Sequence, residues 1–268
     1  MAYDAHLHAD QYPPERREAL LAEAFAAGVR GIVAVSMNLE SCAETRRLSA
    51  LWPGRAMPAY GHHPEQPPLG PSELARLCDW IRRLAESGEA FAIGEVGLPY
   101  YTRTEAEARG EAFDEAPYLA QLDVFAGLAA ELDRPIALHA VYEDADKALD
   151  VLDRRGVRRA HFHWYKGAPE TTTRIAARGY FISLTPDVLY EPDIRELAVS
   201  FPLGQLMAET DGPWPFEGPF AGMETTPAMT LAVAREIAAL RGLKLEAAER
   251  ELDRNTAAFY GFELTRDT

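Results

Sequence analysis

Short apolar runs alternate with amphipathic stretches along the whole chain. Residues 3–6 read as a strand, and 14–27 as a helix with apolar positions at helical spacing. A β-branched run at 31–36 gives a second strand, and a helix starts near Ser41. Residues 55–61 lead to a helix near Ser72, where Ser-Glu-Leu resembles an N-cap. The fourth strand is 91–94. A polar stretch, 102–115, follows it, and its charges read as a solvated face or a mobile lid. Helix 118–132, strand 135–138, helix 142–155, strand 159–162 and helix 169–178 come next. Strand 180–184, helix 193–201 and strand 206–208 follow, then a loop rich in Pro and Gly to Met223. Helices over 228–241 and 246–259 close the pattern. Eight strand–helix units in 268 residues predict an α/β fold, a closed (β/α)8 TIM barrel with one domain over 1–268.

Composition changes this picture little. The chain is 47% hydrophobic, enough for a sizeable core. Cys42 and Cys78 fall in predicted helices without Cys-x-x-Cys spacing, which predicts buried free thiols. The first strand begins at Ala2, which leaves no basic-plus-apolar leader, and no apolar run approaches the ~20 residues that span a bilayer. A cytoplasmic protein with no membrane association and no obligate protein partner is expected.

Charge narrows the partners. Lys and Arg number 27 against 42 Asp and Glu, a formal net charge of −15. Nonspecific nucleic-acid binders carry a basic footprint, and none is present overall. A nucleic-acid substrate must then be held by local cations and by metal ions.

Candidate chemistry collects where predicted strands end. The segments are Asp4-Ala5-His6-Leu7-His8, Ile93-Gly94-Glu95-Val96-Gly97, Leu138-His139-Ala140, His161-Phe162-His163 and Ala208-Glu209-Thr210-Asp211. In a barrel, strand ends converge on one mouth, so ligands scattered in sequence meet in space. His6 and His8 are two apart and point to one side of a strand. Imidazole with carboxylate suits Zn²⁺, Mn²⁺ and similar ions. Strict alternation puts Asp4 on the same face, below the ligands, where it could accept from an imidazole. His161, two before His163, reads as a core or supporting residue rather than a ligand.

These motifs, together with Gly61-His62-His63-Pro64, His163-Trp164-Tyr165-Lys166-Gly167, Glu209-Thr210-Asp211-Gly212-Pro213 and Asn255, resemble the TatD family of metal-dependent hydrolases from Asp4 to about Tyr260. The resemblance implies one metal held by His6, His8, Glu95 and Asp211, and a second by Glu95, His139 and His163, with Glu95 as the bridge. It implies two divalent ions, Zn, Mn or Mg, and a water activated between them. The family includes DNases and members linked to removal of D-amino acids from tRNA. Three departures alter the pocket lining: Pro99 where Asp is frequent, Ala140 and Val141 where Arg is frequent, and Trp164-Tyr165-Lys166 in place of the usual Cys-Phe and Ser or Thr.

Roles follow from the chemistry. Asp211 can bind a metal and accept a proton from the attacking water, with Glu95 as its catalytic partner. His63 could contact a phosphate or ester, while His62 reads as a loop residue. Lys166 and Trp164, with Tyr165, could grip a phosphate and stack a base, or simply pack at the rim. The leading expectation is a TatD-like deoxyribonuclease or phosphodiesterase acting on DNA ends or single strands. The alternative is a hydrolase of small esters, amides, lactones or aminoacyl-tRNA on the same scaffold. A non-catalytic metal-binding scaffold is disfavoured because no ligand is missing.

Overall fold

The computed structural model describes residues 1–263; residues 264–268 of the expected 1–268 unit lie outside them. Among the described residues eight parallel strands form one sheet in chain order, with helices between them. They are β1 (Ala2–Leu7), α1 (Pro14–Ala26), β2 (Val29–Ala34), α2 (Leu39–Leu51), β3 (Ala56–Tyr60), α3 (Pro71–Glu86), β4 (Ala92–Gly97) and α4 (Tyr100–Ala108). Then come α5 (Ala116–Leu132), β5 (Ile136–His139), α6 (Asp144–Arg155), β6 (Ala160–Phe162), α7 (Pro169–Ala177), β7 (Phe181–Leu184) and α8 (Pro192–Ser200). Finally come β8 (Leu206–Ala208), α9 (Thr230–Leu240) and α10 (Leu245–Tyr260). The TIM-barrel expectation holds.

Two layers of apolar packing follow from strand alternation. An inner cluster takes Tyr3, Ala5, Val33, Met57, Ala59 and Met207 from strands scattered around the sheet, and Phe259 and Tyr260 of α10 pack against it. The outer cluster lies between strands and helices and includes Ile93, Phe125, Leu149 and Ile182. At the mouth, β4 and β5 run very close. Gly97, at φ 156°, sits where a Cβ would overlap the carbonyl oxygen of His139. That approach sets Glu95 and His139 side by side.

The sheet closes without a regular ladder between β8 and β1. Instead the chain just past β8 bonds back to β1: Asp211 N–H to the His6 carbonyl at 3.0 Å, and His8 N–H to the Gly212 carbonyl at 2.9 Å. Asp4 clasps the same seam. Its carboxylate accepts from the Thr210 N–H at 3.0 Å, from the Thr210 hydroxyl, and from its own chain at His6 N–H, 3.3 Å. This corrects the expectation that Asp4 shares a face with His6 and orients an imidazole. Among the described residues no imidazole is a hydrogen-bond partner of the Asp4 carboxylate, whose partners are Thr210 and the His6 N–H. The register of β1 on β2 shifts between Asp4 and Leu7, which breaks the alternation and returns His6 to the lumen.

Asp4 is fully buried, so its loss leaves two Thr210 donors stranded. Asp4→Ala is expected to lower unfolding free energy by about 2–6 kcal/mol, at roughly 1–3 kcal/mol per stranded buried group. Urea denaturation checks it, and a loss under about 1 kcal/mol would deny Asp4 the clasp.

Two local expectations change. Helix α3 starts at Pro71, so Ser72 lies inside its first turn. Gly70 occupies the cap position, and its N–H donates to Glu73 at 3.3 Å. The stretch read as a solvated face or lid takes in most of α4, and Arg103 within it is buried. The Arg103 guanidinium donates to Glu143 at 2.8 Å and Asp144 at 3.0 Å, pinning α4 to α6.

Candidate metal centre

The side chains singled out at strand ends converge on one carboxylate. Glu95 is fully buried near the end of β4. Its Oε2 lies 3.0 Å from His6 Nε2 and 3.0 Å from His8 Nε2. Asp211 Oδ1 lies 3.5 Å from His6 Nε2 and 3.4 Å from His8 Nε2. The other Glu95 oxygen, Oε1, lies 2.7 Å from His163 Nε2 and 3.0 Å from His139 Nδ1. Those two nitrogens are 3.3 Å apart. The His6 and His163 rings stack at 3.7 Å between centroids, which holds the two groups against each other.

Each Glu95 oxygen is therefore the centre of its own set of nitrogen donors. Burial alone would raise the Glu95 carboxyl, but the imidazoles of His163, His63 and His6 hold it well below the usual carboxylate range. Asp211 Oδ1 is buried and has no hydrogen-bond partner among the described residues. Such an oxygen, close to two imidazole nitrogens, fits a cation better than it fits a neutral core. Asp211 takes a left-handed backbone, φ 48°, which turns its side chain from the end of β8 toward the centre.

His63 lies deeper than expected. The sequence suggested a contact for substrate; its Nε2 is 3.3 Å from Glu95 Oε1, inside the donor cluster. The tight turn after β3, where His63 N–H bonds to the Met37 carbonyl at 2.9 Å, carries it there. His62 is buried too, and its Nε2 faces the Pro67 carbonyl at 3.0 Å, away from the centre.

His161 sits beneath His163 and reaches it indirectly. Its Nδ1 is 2.6 Å from the Tyr260 hydroxyl and its Nε2 2.6 Å from Ser183 Oγ. Ser183 donates to Glu209 Oε2 at 2.6 Å, and Glu209 Oε1 lies 3.6 Å from His163 Nδ1. Glu209, which the sequence left without a role, thus links His161 to a candidate ligand.

Lys166 and Trp164 do line the mouth, but both are engaged. Trp164 donates its indole N–H to Asp187 at 2.6 Å and its backbone N–H to Glu209 at 2.6 Å. Lys166 Nζ is 3.5 Å from Asp187 Oδ2 and lies over the Trp164 ring at 4.8 Å. Tyr165, by contrast, is fully buried. A cavity of 810 Å³ opens above the cluster, and Lys166 is the sole Lys or Arg among its lining residues. Two exposed aromatics frame it: Trp214, 57% exposed, and Tyr101, 42% exposed. Neither stood out in the sequence, where nothing marks a lone aromatic in a loop. Glu65, also in the lining, was missed although it follows His63-Pro64 directly. Burial would raise its carboxyl, but contacts with His139 and Thr102 pull it down to about 2.

Among the described residues no helix is long and apolar enough to cross a membrane. The family model described as TatD related DNase matches residues 3–261. A Haemophilus influenzae protein named as an uncharacterized metal-dependent hydrolase is 36% identical over 261 residues, covering 97% of this chain and 99% of its own. A Pantoea sp. protein named 3'-5' ssDNA/RNA exonuclease TatD is 34% identical over 204 residues, 74% of each chain. The solved structure of YJJV, a TatD homologue from Escherichia coli K12, is similar with a TM-score of 0.81 at 25% identity, over 98% of each chain. Motifs, barrel and relatives agree: the chain belongs to the TatD family of metal-dependent hydrolases.

Proposed function

We propose that this chain hydrolyses phosphodiester bonds at the ends of single-stranded nucleic acid, with two divalent cations, Zn, Mn or Mg, held across Glu95. The observation that carries the reading is the division of Glu95, one oxygen facing His6 and His8, which Asp211 also approaches, and the other facing His139 and His163. Bound there, two divalent ions supply Lewis-acid polarisation of the ester and lower the pKa of a coordinated water.

The chain's own residues do the rest. Asp211, open to the cavity, accepts the proton of the attacking water. Glu95 holds its charge between the two groups and keeps their spacing. His63, which lines the cavity, flanks the Oε1 side of Glu95 at 3.3 Å. Trp214 and Tyr101 offer faces on which a terminal base stacks, at roughly 1–3 kcal/mol per base. The names of the relatives, one of them an ssDNA/RNA exonuclease, support the substrate class.

The electrostatics make a further expectation. A chain of net charge −15 with one lysine at the mouth releases few counterions when a strand binds. The affinity for a single-stranded oligonucleotide should fall with salt with a log–log slope of about −1, near the ~0.7 per contacted phosphate of single strands. An intact duplex does not fit a pocket of this size, so single strands and frayed ends are cut faster than blunt duplex. Lys166→Ala should slow oligonucleotide cleavage more than cleavage of a small phosphodiester. The deciding experiment loads the protein with each metal and offers single-stranded DNA, RNA, duplex DNA, a small phosphodiester, and carboxylic esters and lactones. Turnover of esters with no nucleic-acid cleavage under any metal would overturn the reading.

A further inference from the structure

Glu65 lies in the loop between β3 and α3, and its side chain is 19% exposed. Its carboxylate serves two structures at once. Oε1 accepts from the Tyr101 N–H at 3.0 Å and Oε2 from the Thr102 N–H at 2.7 Å. These are the second and third residues of α4, whose cap position is Pro99 and carries no side-chain acceptor. The first N–H groups of a helix lack partners within it, and a carboxylate beside them is favoured by charge as well as by bonding. The cap that Pro99 cannot provide is supplied from a different loop.

The same Oε1 lies 3.1 Å from His139 Nε2. A ligating imidazole is neutral and keeps one N–H, so a His139 that ligates through Nδ1 carries its proton on Nε2, where the Glu65 carboxylate can accept it. The opposite nitrogen, Nδ1, faces Glu95 Oε1 at 3.0 Å and His163 Nε2 at 3.3 Å. A ring pinned in this way offers Nδ1 inward, and a carboxylate behind a ligating imidazole also raises its basicity.

We propose that Glu65 is a positioning residue that fixes His139 with Nδ1 turned to the Glu95–His163 group and ties the first turn of α4 to the same point. One carboxylate then sets both a donor of the centre and the α4 wall of the cavity. This rests on the reading of His139 as a metal ligand.

The test is calorimetric titration of metal-free protein with Mn²⁺ and, separately, Zn²⁺, alongside thermal melts. Wild type, Glu65→Gln, Glu65→Ala, His139→Ala and the double variant Glu65→Ala with Pro99→Asp are compared. The wild type should show two binding events. Glu65→Gln and Glu65→Ala should weaken one of them by about 10–100-fold, the usual effect of removing a partner behind a ligand, and leave the other in place. His139→Ala should abolish that same event. Pro99→Asp should return melting temperature to the Glu65→Ala protein without returning metal affinity, which separates the cap from the imidazole. Wild-type affinity at both events in Glu65→Gln, with one event lost in His139→Ala, overturns the role of Glu65 alone. Two undiminished events in His139→Ala overturn His139 as a ligand, a single event in wild type overturns the two-cation reading, and either result takes this proposal with it.

Discussion

Asp211→Asn is expected to lower turnover by about 10²-fold or more, the range for loss of a general base, with little change in stability. The amide copies the shape of the carboxylate and keeps an oxygen near His6 and His8, where Asp211 Oδ1 now lies at 3.5 and 3.4 Å. Asparagine also tolerates the left-handed backbone of this position, φ 48°, so the chain past β8 keeps its path. What is lost is the capacity to take a proton. Steady-state kinetics on metal-saturated protein, with metal content measured in the same samples and a thermal melt of both proteins, isolates that loss. Near-wild-type turnover at full metal occupancy would eliminate Asp211 as the base.

The second large effect concerns the metals. Glu95→Ala removes the one carboxylate that faces both donor groups, so bound divalent metal after dialysis should drop from about two ions per chain to one or fewer. Turnover should fall at least as far as in Asp211→Asn. Chelation of the wild type should give a protein that melts lower and recovers on metal return, because a ligand bound only by the folded state stabilises it by mass action. Elemental analysis is decisive: two full equivalents in the Glu95→Ala protein would remove Glu95 as the bridge.

Much of this molecule is legible in its sequence because strand ends and metal-binding side chains coincide. The His6, Glu95, His139 and Asp211 segments each pair a short apolar run with a donor, and barrel geometry brings such ends together. What escaped depends on contacts between loops. Helix α4 has Pro99 at its cap and buries Arg103, not an apolar stripe, so neither a cap signal nor a hydrophobic period marks it. Its cap is Glu65, dozens of residues away in sequence. Asp4 was misplaced because alternation assumes an unbroken ladder, and β1 shifts register after it. His63 was read as a substrate contact; it lines the cavity, and its approach to Glu95 is a depth that a loop position in the sequence does not give.

The seam between β1 and the end of β8 also fixes a moment in the life of the chain. His6 and Asp211, which face each other across it, are 211 − 6 = 205 positions apart. At about 5–20 residues per second of synthesis, the first proposed donor waits on the order of 10–40 s for the last. Asp211 is missing throughout that wait and Glu95, 89 positions after His6, for the first part of it, so the early nascent chain offers only a weak two-imidazole site. Metal loading is accordingly expected to be the final event in making the protein, following release and barrel closure. Ribosome-stalled chains that end before β8 should take up no tightly held ion through His6 and His8, whereas stalled chains extended well past α10 should.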